Sequence, residues 1–278
     1  MGNEYLTLRE IQLAELEMLK AFDAFCRKHG LVYTISGGTL LGAIRHGGFI
    51  PWDDDIDLWI PRPDYERFVS LIYDQQETLG DNIIVRSAER DDDFAMPYTK
   101  IFRTDILVDE EIRTYKSDGD GIWLDLFPVD GLPDTKEEID KEWAEITHLK
   151  KQLARSISLI TKKRPGESVM KWLARAPLAA CAKIKGYKYY RDRIIETAKS
   201  HPYEKSHMLA NIVFGDDIAD RELLEKEELE KTCDIPFEDS VFMGFENYDL
   251  WLTRRYGDWR TVPPKEKQSA HYVKAYRK

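Results

Sequence analysis

The sequence predicts an α+β fold in which helices wrap a mixed sheet. Short apolar runs that suit strands alternate with segments whose apolar residues recur every three or four positions. The stretch 31–60 shows this alternation most clearly, as a strand, a Gly-Gly turn, a short helix, a loop and a second strand. Apolar residues make up 42% of the 278 residues, which is enough for one large domain or a domain with a smaller subdomain.

The first half of the chain predicts one helix, several strands and two further helices. A capping box at Thr7 opens a helix that ends at Gly30. A strand at 31–35 leads through Gly37 into a short helix, and a strand at 55–60 precedes a helix at about 64–77. Strands at 83–86, 97–104 and 121–131 follow. Asp130, just before Gly131, is predicted to be a turn residue.

The second half predicts mainly helices. A capping box at Thr135 opens a long helix that ends before Pro165. The next helix carries an apolar stripe that includes Val169, Leu173 and Ile184, and this stripe is predicted to belong to the core. After short apolar pieces near 235–242, a helix spans 247–256. We therefore predict a catalytic core at 1–134, a helical part at 135–235 and a segment returning to the core at 236–278.

Composition argues against several classes of protein. No run of about 18 apolar residues predicts a membrane span, and no basic-then-apolar start predicts a secretory signal. Cys26, Cys181 and Cys233 are odd in number and far apart, which disfavours a disulfide framework or a cysteine-based metal site. This cysteine usage suits a reducing compartment, so the sequence predicts a cytoplasmic location.

Charge is distributed unevenly along the chain. Residues 150–199, here the basic segment, hold 14 Lys and Arg against 3 Asp and Glu, a balance of +11. The rest of the chain has a balance of −21, and the whole chain −10. Such a segment predicts either a surface that meets an anionic partner or a pair of solvated helices.

Carboxylates at the start of one strand indicate a cation site. Asp55 and Asp57 point to the same side because strand side chains alternate between faces. Two neighbouring carboxylates repel each other unless a cation lies between them, and hard oxygen ligands suit Mg²⁺ or Mn²⁺. Asp125 lies within an apolar strand, where an unpaired carboxylate is costly. A metal shared with Asp55 and Asp57 would pair it, on an adjacent strand predicted to be antiparallel.

The acidic stretch has features of an EF-hand, of a solvated turn and of a glycosyltransferase motif. An EF-hand would take its first ligands from Asp53, Asp55 and Asp57. Leu58 stands where that loop needs Gly, so the sequence excludes an EF-hand. A solvated acidic turn explains poorly why the acids run into an apolar strand. The Asp-x-Asp motif of metal-dependent glycosyltransferases is chemically close, but it does not require a Gly-Gly turn upstream.

Two motifs resemble the LicD family of phosphorylcholine transferases and relatives of the fukutin-related proteins. They are Gly-Gly-Thr-Leu-Leu-Gly-Ala-Ile-Arg at 37–45 and Ile-Pro-Trp-Asp-Asp-Asp-Ile-Asp at 50–57. The strand with Lys100, the strand with Asp125, and the closing Tyr-Gly-Asp-Trp at 256–259 with His271 also match. The resemblance implies a nucleotidyltransferase-like core.

The resemblance also implies an activity and a site. We expect metal-dependent transfer of phosphocholine from CDP-choline to a hydroxyl of a cell-surface glycan or teichoic-acid precursor, with release of CMP. Mg²⁺ or Mn²⁺ would bind the catalytic carboxylates Asp55, Asp57 and Asp125, and Asp125 is our candidate for the base. The residues expected to contact substrate are Gly37, Gly38, Thr39, Arg45, Lys100 and His271.

The donor, the acceptor and the reaction class stay open at this point. CDP-glycerol or CDP-ribitol would use the same metal site, and the aromatic residues near the motifs could form a choline cage or belong to the core. These are Trp52, Trp59, Tyr98 and Trp123. A true nucleotidyltransferase and a non-catalytic metal-binding or glycan-binding protein are the alternatives. We expect a CDP-alcohol donor, a lipid-linked glycan acceptor and no nucleic acid. We also expect peripheral contact of the basic segment, through Lys162, Lys163 and Arg164, with the inner face of an anionic membrane.

Overall fold

The computed structural model describes residues 4–109, 121–158, 168–215, 218–268 and 274–278. It is an α+β fold, as the sequence predicts. The helices are α1 (Leu8–His29), α2 (Gly37–His46), α3 (Arg62–Tyr73), α4 (Lys136–Ile157), α5 (Val169–Lys185), α6 (Tyr187–Ala198), α7 (Lys226–Glu230) and α8 (Tyr248–Tyr256). The strands are β1 (Thr34–Ile35), β2 (Asp57–Pro61), β3 (Ile83–Arg86), β4 (Thr99–Val108), β5 (Gly121–Gly131), β6 (Met208–Ala210), β7 (Leu224–Glu225), β8 (Thr232–Phe237), β9 (Ser240–Phe245) and β10 (Ala275–Arg277).

Helix α1 begins and ends where the sequence predicts, and it packs on the sheet. Its capping box is complete, because the Thr7 hydroxyl accepts from the Glu10 amide and the Glu10 carboxylate accepts from the Thr7 amide. Gly30 ends the helix in the left-handed conformation, at φ 61°. The buried face carries Phe22, whose ring meets those of Tyr33 and Phe68 edge to face.

The sheet is mixed, and its strand directions correct one prediction. Within the described residues the order is β1-β2-β5-β4-β10, with β3 beside β4 and with β6 and β7 extending from β5. Strand β5 is adjacent to β2, as predicted, but the pair is parallel rather than antiparallel. The chain leaves β2 through α3 and then passes through β3 and β4. Because β4 and β5 are antiparallel, β5 re-enters the sheet running with β2. Asp57 and Asp125 are therefore direct partners in register.

Asp130 lies inside strand β5 and is not a turn residue. Its carboxylate is 1% exposed and accepts two hydrogen bonds from the guanidinium of Arg62, at 2.5 Å to Nε and 2.8 Å to Nη2. Arg62 is the first residue of α3, which begins two residues earlier than the sequence suggested. The bidentate pair thus holds the start of α3 against the end of β5.

Helix α5 corrects a second prediction. It packs against α4, and its fully buried side chains are the small residues Ala179 and Ala182. The predicted core stripe faces outward instead, with Val169, Leu173 and Ile184 between 53% and 86% exposed. No described helix is both long enough and apolar enough to cross a membrane.

The remaining elements surround the sheet. The β8–β9 hairpin packs on β1 and α2, and α6 packs beside α4. Helix α8 spans the residues predicted for it and begins at an Asn247 cap. One hydrophobic cluster includes residues from all three predicted units, for example Phe22, Trp143 and Trp251. The division at 134 and 235 stays a prediction.

We predict that Asp130→Ala lowers the free energy of unfolding by about 3 kcal/mol, because it removes the bidentate partner of the buried Arg62 guanidinium and leaves it the Glu89 contact at 3.2 Å. Urea denaturation followed by circular dichroism measures this change. The matched control is Asp140→Ala, which breaks an exposed pair with Lys136 and should cost about 1 kcal/mol or less. Equal effects of the two substitutions would contradict the structural role of the Asp130 pair.

Candidate active site

The start of α2 is joined to the start of β2 by two hydrogen bonds, one between backbone groups and one from a backbone amide to a side-chain hydroxyl. The amide of Ser36 donates to the carbonyl of Asp57, at 2.9 Å. The amide of Asp57 donates to the hydroxyl of Thr39, also at 2.9 Å. Thr39 is buried, so its hydroxyl positions Asp57 in this structure. Its predicted contact with substrate stays a prediction.

Gly37 and Gly38 leave room for two carboxylates. A Cβ added at Gly37 would stand 2.5 Å from Oδ2 of Asp57, and one at Gly38 would stand 2.6 Å from Oδ2 of Asp53. The positive end of the α2 dipole favours negative charge at this place. The structure thus brings side-chain carboxylates to the turn where we predicted that backbone N–H groups hold phosphate. That phosphate contact stays a prediction.

Asp125 lies beside Asp57 and is oriented by two neighbours. The two residues are partners on adjacent parallel strands, which are about 4.8 Å apart. The ammonium of Lys100 lies 2.7 Å from Oδ1 of Asp125, and the indole N–H of Trp123 donates to Oδ2 at 3.2 Å. The same ammonium lies 4.2 Å from the centre of the Trp123 ring. Lys100 is therefore at the site and paired with Asp125, and its contact with a substrate phosphate stays a prediction.

Asp55 and Asp57 have raised pKa values and so resist ionisation. Burial, together with the charges of Asp57, Asp53 and Asp125, raises the pKa of Asp55 to about 9. Burial also raises the pKa of Asp57 to about 7, with Asp125 and Asp53 adding to the effect. Arg255 and Lys100 act in the opposite sense on Asp57. The site therefore holds more negative charge than its two cations offset.

Two residues of α1 that we did not predict support the acidic stretch. The Gln12 amide donates to the carbonyl of Asp53 at 2.8 Å. Glu15 is 3% exposed, and its Oε2 has no hydrogen-bond partner among the described residues. Burial, together with the charges of Asp55 and its neighbours, raises the pKa of Glu15 well above the usual range. The sequence did contain a signal for this buried acid, because Glu15 lies between Ile11 and Met18 on the apolar face of α1.

A cavity of about 160 Å³ opens beside Asp57. Its walls combine aromatic rings with charged and polar groups that sequence reasoning missed. The Arg255 guanidinium is paired with the fully buried Glu222 carboxylate at this wall. The lining residues are Ser36, Gly37, Asp57, Trp59, Phe127, Asn211, Phe214, Gly215, Glu222 and Arg255. Of the lining residues that sequence reasoning missed, Arg255 alone stands beside a recognised motif, the closing Tyr-Gly-Asp-Trp.

Arg45, a predicted substrate residue, does not lie at the acidic centre formed by Asp55, Asp57 and Asp125. Arg45 lies in the last turn of α2, at the opposite end from Gly37, and donates to the carbonyl of Trp259 at 2.9 Å. Burial lowers the pKa of Arg45. Arg45 therefore ties α2 to the segment after α8. His271 lies outside the described residues.

The acidic centre suits a hard divalent cation in its chemistry. No three His, Cys, Asp or Glu side chains in the described parts of the chain stand close enough to form a complete ligand set. Asp55, Asp57 and Asp125 nevertheless offer oxygen donors, and Asp55 and Asp57 have raised pKa values that a cation would lower. The donor chemistry fits Mg²⁺ or Mn²⁺, and the metal itself is a proposal.

Comparison with known proteins identifies the family. The family described as LicD/FKTN/FKRP, nucleotidyltransferase domain, matches residues 30–153. Lipopolysaccharide cholinephosphotransferase LicD of Haemophilus influenzae is 30% identical over 276 residues, which cover 96% of this chain and 97% of that protein. This chain belongs to the LicD family. It is accordingly an enzyme, a phosphotransferase.

Further relatives of the LicD-family chain match over shorter stretches. Ribitol 5-phosphate transferase FKRP of Homo sapiens is 61% identical over 31 residues, which are 11% of this chain and 6% of that protein. An uncharacterized protein of Rickettsia prowazekii, RP689, is 41% identical over 68 residues, which are 24% of this chain and 25% of that protein. The family assignment confirms the resemblance on which the sequence analysis relied.

We predict that Gly37→Ala lowers transferase activity by a factor of about 10² or more, because its Cβ would displace the Asp57 carboxylate. Gly47→Ala is the matched control. Gly47 also has a positive φ, of 72°, but nothing lies within 4 Å of an added Cβ. Both variants carry the same kind of backbone strain, so only the first should lose activity beyond its loss of stability. Similar activities of the two variants would contradict this role of Gly37.

We also predict that the metal-free enzyme becomes less stable as the pH rises from about 4 to about 9. Below pH 4 the acids are protonated in the folded and the unfolded chain and cost nothing. As the pH rises, the unfolded chain loses protons first, while folded Asp57 and Asp55 hold theirs to about 7 and about 9. Stability is therefore lost between about pH 4 and these two values, and above about pH 9 the two acids cause no further loss.

Urea denaturation with EDTA at pH 5, 7 and 9 tests this prediction. Asp57→Asn should flatten the pH dependence and gain about 1–3 kcal/mol of unfolding free energy relative to the original chain at the highest pH. Asp134→Asn, outside the acidic centre, supplies the control for the loss of one charge. Parallel pH curves for Asp57→Asn and the original chain would refute the strained acidic centre.

Proposed function

We propose that this LicD-family enzyme transfers phosphocholine from CDP-choline to a glycan hydroxyl and releases CMP. The observation that carries the proposal is the parallel register of Asp57 and Asp125, which places two carboxylates side by side next to a cavity. The relatives support the reaction class, because one is named a cholinephosphotransferase and another a ribitol 5-phosphate transferase. Transfer of a phospho-substituent is the statement that the two names share.

We propose that Asp55, Asp57 and Asp125 hold a divalent cation, which supplies neutralising charge for the donor pyrophosphate and the departing CMP. The chain contributes two further positive groups at this place, the Lys100 ammonium and the Arg255 guanidinium. Asp125 is the candidate base for the acceptor hydroxyl, and its neighbours Lys100 and Trp123 orient the carboxylate.

The walls of the cavity favour choline over a neutral polyol. Phe127 and Phe214 stack with ring centres 4.7 Å apart, and both line the cavity with Trp59. Aromatic faces attract a quaternary ammonium group. Of the four aromatic residues named from the sequence, Trp59 lines this cavity; Tyr98 packs against Phe127 behind it. CDP-glycerol and CDP-ribitol offer no cation to these walls.

The acceptor proposed is a hydroxyl of a cell-surface glycan. The name of the Haemophilus influenzae relative points to lipopolysaccharide, and a teichoic-acid precursor is the other acceptor expected from the sequence. A CDP-alcohol donor is a cytoplasmic metabolite, so we propose that the reaction takes place in the cytoplasm or at the inner membrane face. The runner-up reaction is nucleotidyl transfer, in which the nucleotide stays on the acceptor and pyrophosphate leaves.

The test is a panel of CDP-choline, CDP-glycerol, CDP-ribitol and, as the donor from which nucleotidyl transfer would release pyrophosphate, CTP, with Mg²⁺ and a mixture of glycan acceptors, in which released CMP and pyrophosphate are both measured. We expect acceptor-dependent CMP release that is fastest with CDP-choline and is abolished by EDTA. Asp57→Asn and Asp125→Ala should each lower the rate by a factor of about 10² or more. They should also weaken Mg²⁺ binding measured by calorimetry.

Controls separate the parts of the proposal. Asp130→Asn removes a carboxylate that lies outside the site on the same strand as Asp125, so its folded fraction should keep Mg²⁺ affinity. Pyrophosphate release without CMP would favour nucleotidyl transfer. CMP release that survives EDTA, or Asp57→Asn activity above about a tenth of the original rate, would contradict the metal site.

A further inference from the structure

Helix α5 presents an apolar stripe to the outside of the molecule. Residues 169, 173, 177, 180 and 184 follow one another at spacings of three or four, so they share one side of the helix. All five are exposed, and Val169, Leu173 and Ile184 are 57%, 53% and 86% exposed. Met170, beside the stripe, is 77% exposed. Half-exposed large apolar residues are ordinary when they are scattered, but a stripe along one helix marks an interaction surface.

The way α5 packs explains why the stripe faces outward. The fully buried positions of the helix are Ala179 and Ala182, which let α5 lie close to α4. The side with Ala179, Ala182 and the half-buried Trp172 faces the body of the protein, and the side with Val169, Leu173 and Ile184 does not. The apolar stripe is thus the face of α5 that stays outside, although its large side chains would contribute more on burial than the alanines do.

The charges around the stripe are of one sign. Helix α5 contains four basic residues and no acidic one. Lys183 and Lys185 lie on either side of Ile184, and Lys171 follows Met170. The Lys185 ammonium lies 4.7 Å from the ring centre of Tyr189, which is itself 45% exposed at the start of α6. An apolar stripe with lysines on its flanks and an aromatic residue at its end is the pattern of helices that lie in a membrane interface.

We propose that α5 docks this enzyme on an anionic lipid surface, with its axis parallel to the membrane and the stripe in the headgroup region. Charge complementarity selects this partner. Lysines contribute to binding only near negative lipid headgroups, and the chain outside α5, which has 37 basic and 51 acidic residues and so a balance of −14, is repelled from the same surface. The enzyme would therefore bind in one orientation, through α5.

A second copy of the chain is a poorer partner for the stripe. A two-fold pair of α5 helices would place the same lysine-flanked stripe on both sides of the interface. The lysines at the two edges would then face lysines, and α5 has no acid to offset them. The lipid surface supplies the missing negative charge.

Flotation with lipid vesicles tests the proposal on the full chain. One vesicle set mixes phosphatidylglycerol with phosphatidylcholine, and the other is phosphatidylcholine alone. We expect binding to the first set only, with loss of binding as salt rises to about 1 M, where the Debye length is about 3 Å. A fluorophore on the exposed Cys181, in a Cys233→Ser chain, should shift to the blue when anionic vesicles are added.

Two variant pairs separate the stripe from general charge. Leu173→Glu with Ile184→Glu and Lys171→Glu with Lys183→Glu should each lower vesicle affinity by about tenfold or more. The controls make the same changes elsewhere, as Ile84→Glu with Val241→Glu, which are 44% and 47% exposed, and Lys205→Glu with Lys231→Glu. Circular dichroism confirms that each variant is folded, and both controls should keep the original affinity.

The outcomes are distinct. Binding that depends on the stripe and on anionic lipid supports the proposal. Absence of binding to anionic vesicles at low salt, equal binding to neutral vesicles, or equal loss in the control pairs overturns it. Concentration-dependent dimers in sedimentation that the Leu173→Glu and Ile184→Glu pair abolishes, without vesicle binding, would show that a second copy covers the stripe.

Discussion

The repulsion among Asp55, Asp57 and Asp125 is the constraint on which the rest of this site depends. Parallel pairing of β2 with β5 places two of these acids in register, and the loop before β2 adds the third. Folding therefore brings three carboxylates close together, and without a cation between them they repel each other. Such an arrangement is unfavourable in the free enzyme, and the cation that we propose between the acids would relieve their repulsion.

The surroundings of the acids limit this cost without removing it. The first turn of α2 points its positive end at Asp57, and Lys100 forms an ion pair with Asp125. Glu15 adds a further buried acid, which burial keeps from ionising. The pKa of Asp57 nevertheless stays near 7, so neither the cations nor the helix dipole compensate the centre. A structural role alone does not explain why such a centre is built.

The sequence predicted the local features of the site and not those that depend on distant parts of the chain. Alternation along the predicted strand at 55–60 pointed to Asp55 and Asp57, although Asp55 lies in the loop before β2, and an acid inside an apolar run pointed to Asp125. The predicted direction of β5 was wrong, because it depends on how α3, β3 and β4 carry the chain back to the sheet. Asp130 resembled a turn residue because Gly131 follows it, and its partner Arg62 lies 68 residues away. Glu222 and Arg255 meet Asp57 only in the folded chain.

Helix α5 shows the same limit for helices, because periodicity identifies an amphipathic helix but not the side that is buried. Large apolar residues contribute more than alanine on burial, roughly 1.5–3 kcal/mol for each full side chain, so the sequence favoured the wrong side. The alanine side packs on α4 instead, and the large residues stay in water. The free protein forgoes that stabilisation. Binding to a partner would give this surface the missing stabilisation from apolar burial, and a negatively charged partner would also pair its lysines. Charge and hydrophobicity on α5 therefore act together as one interaction surface.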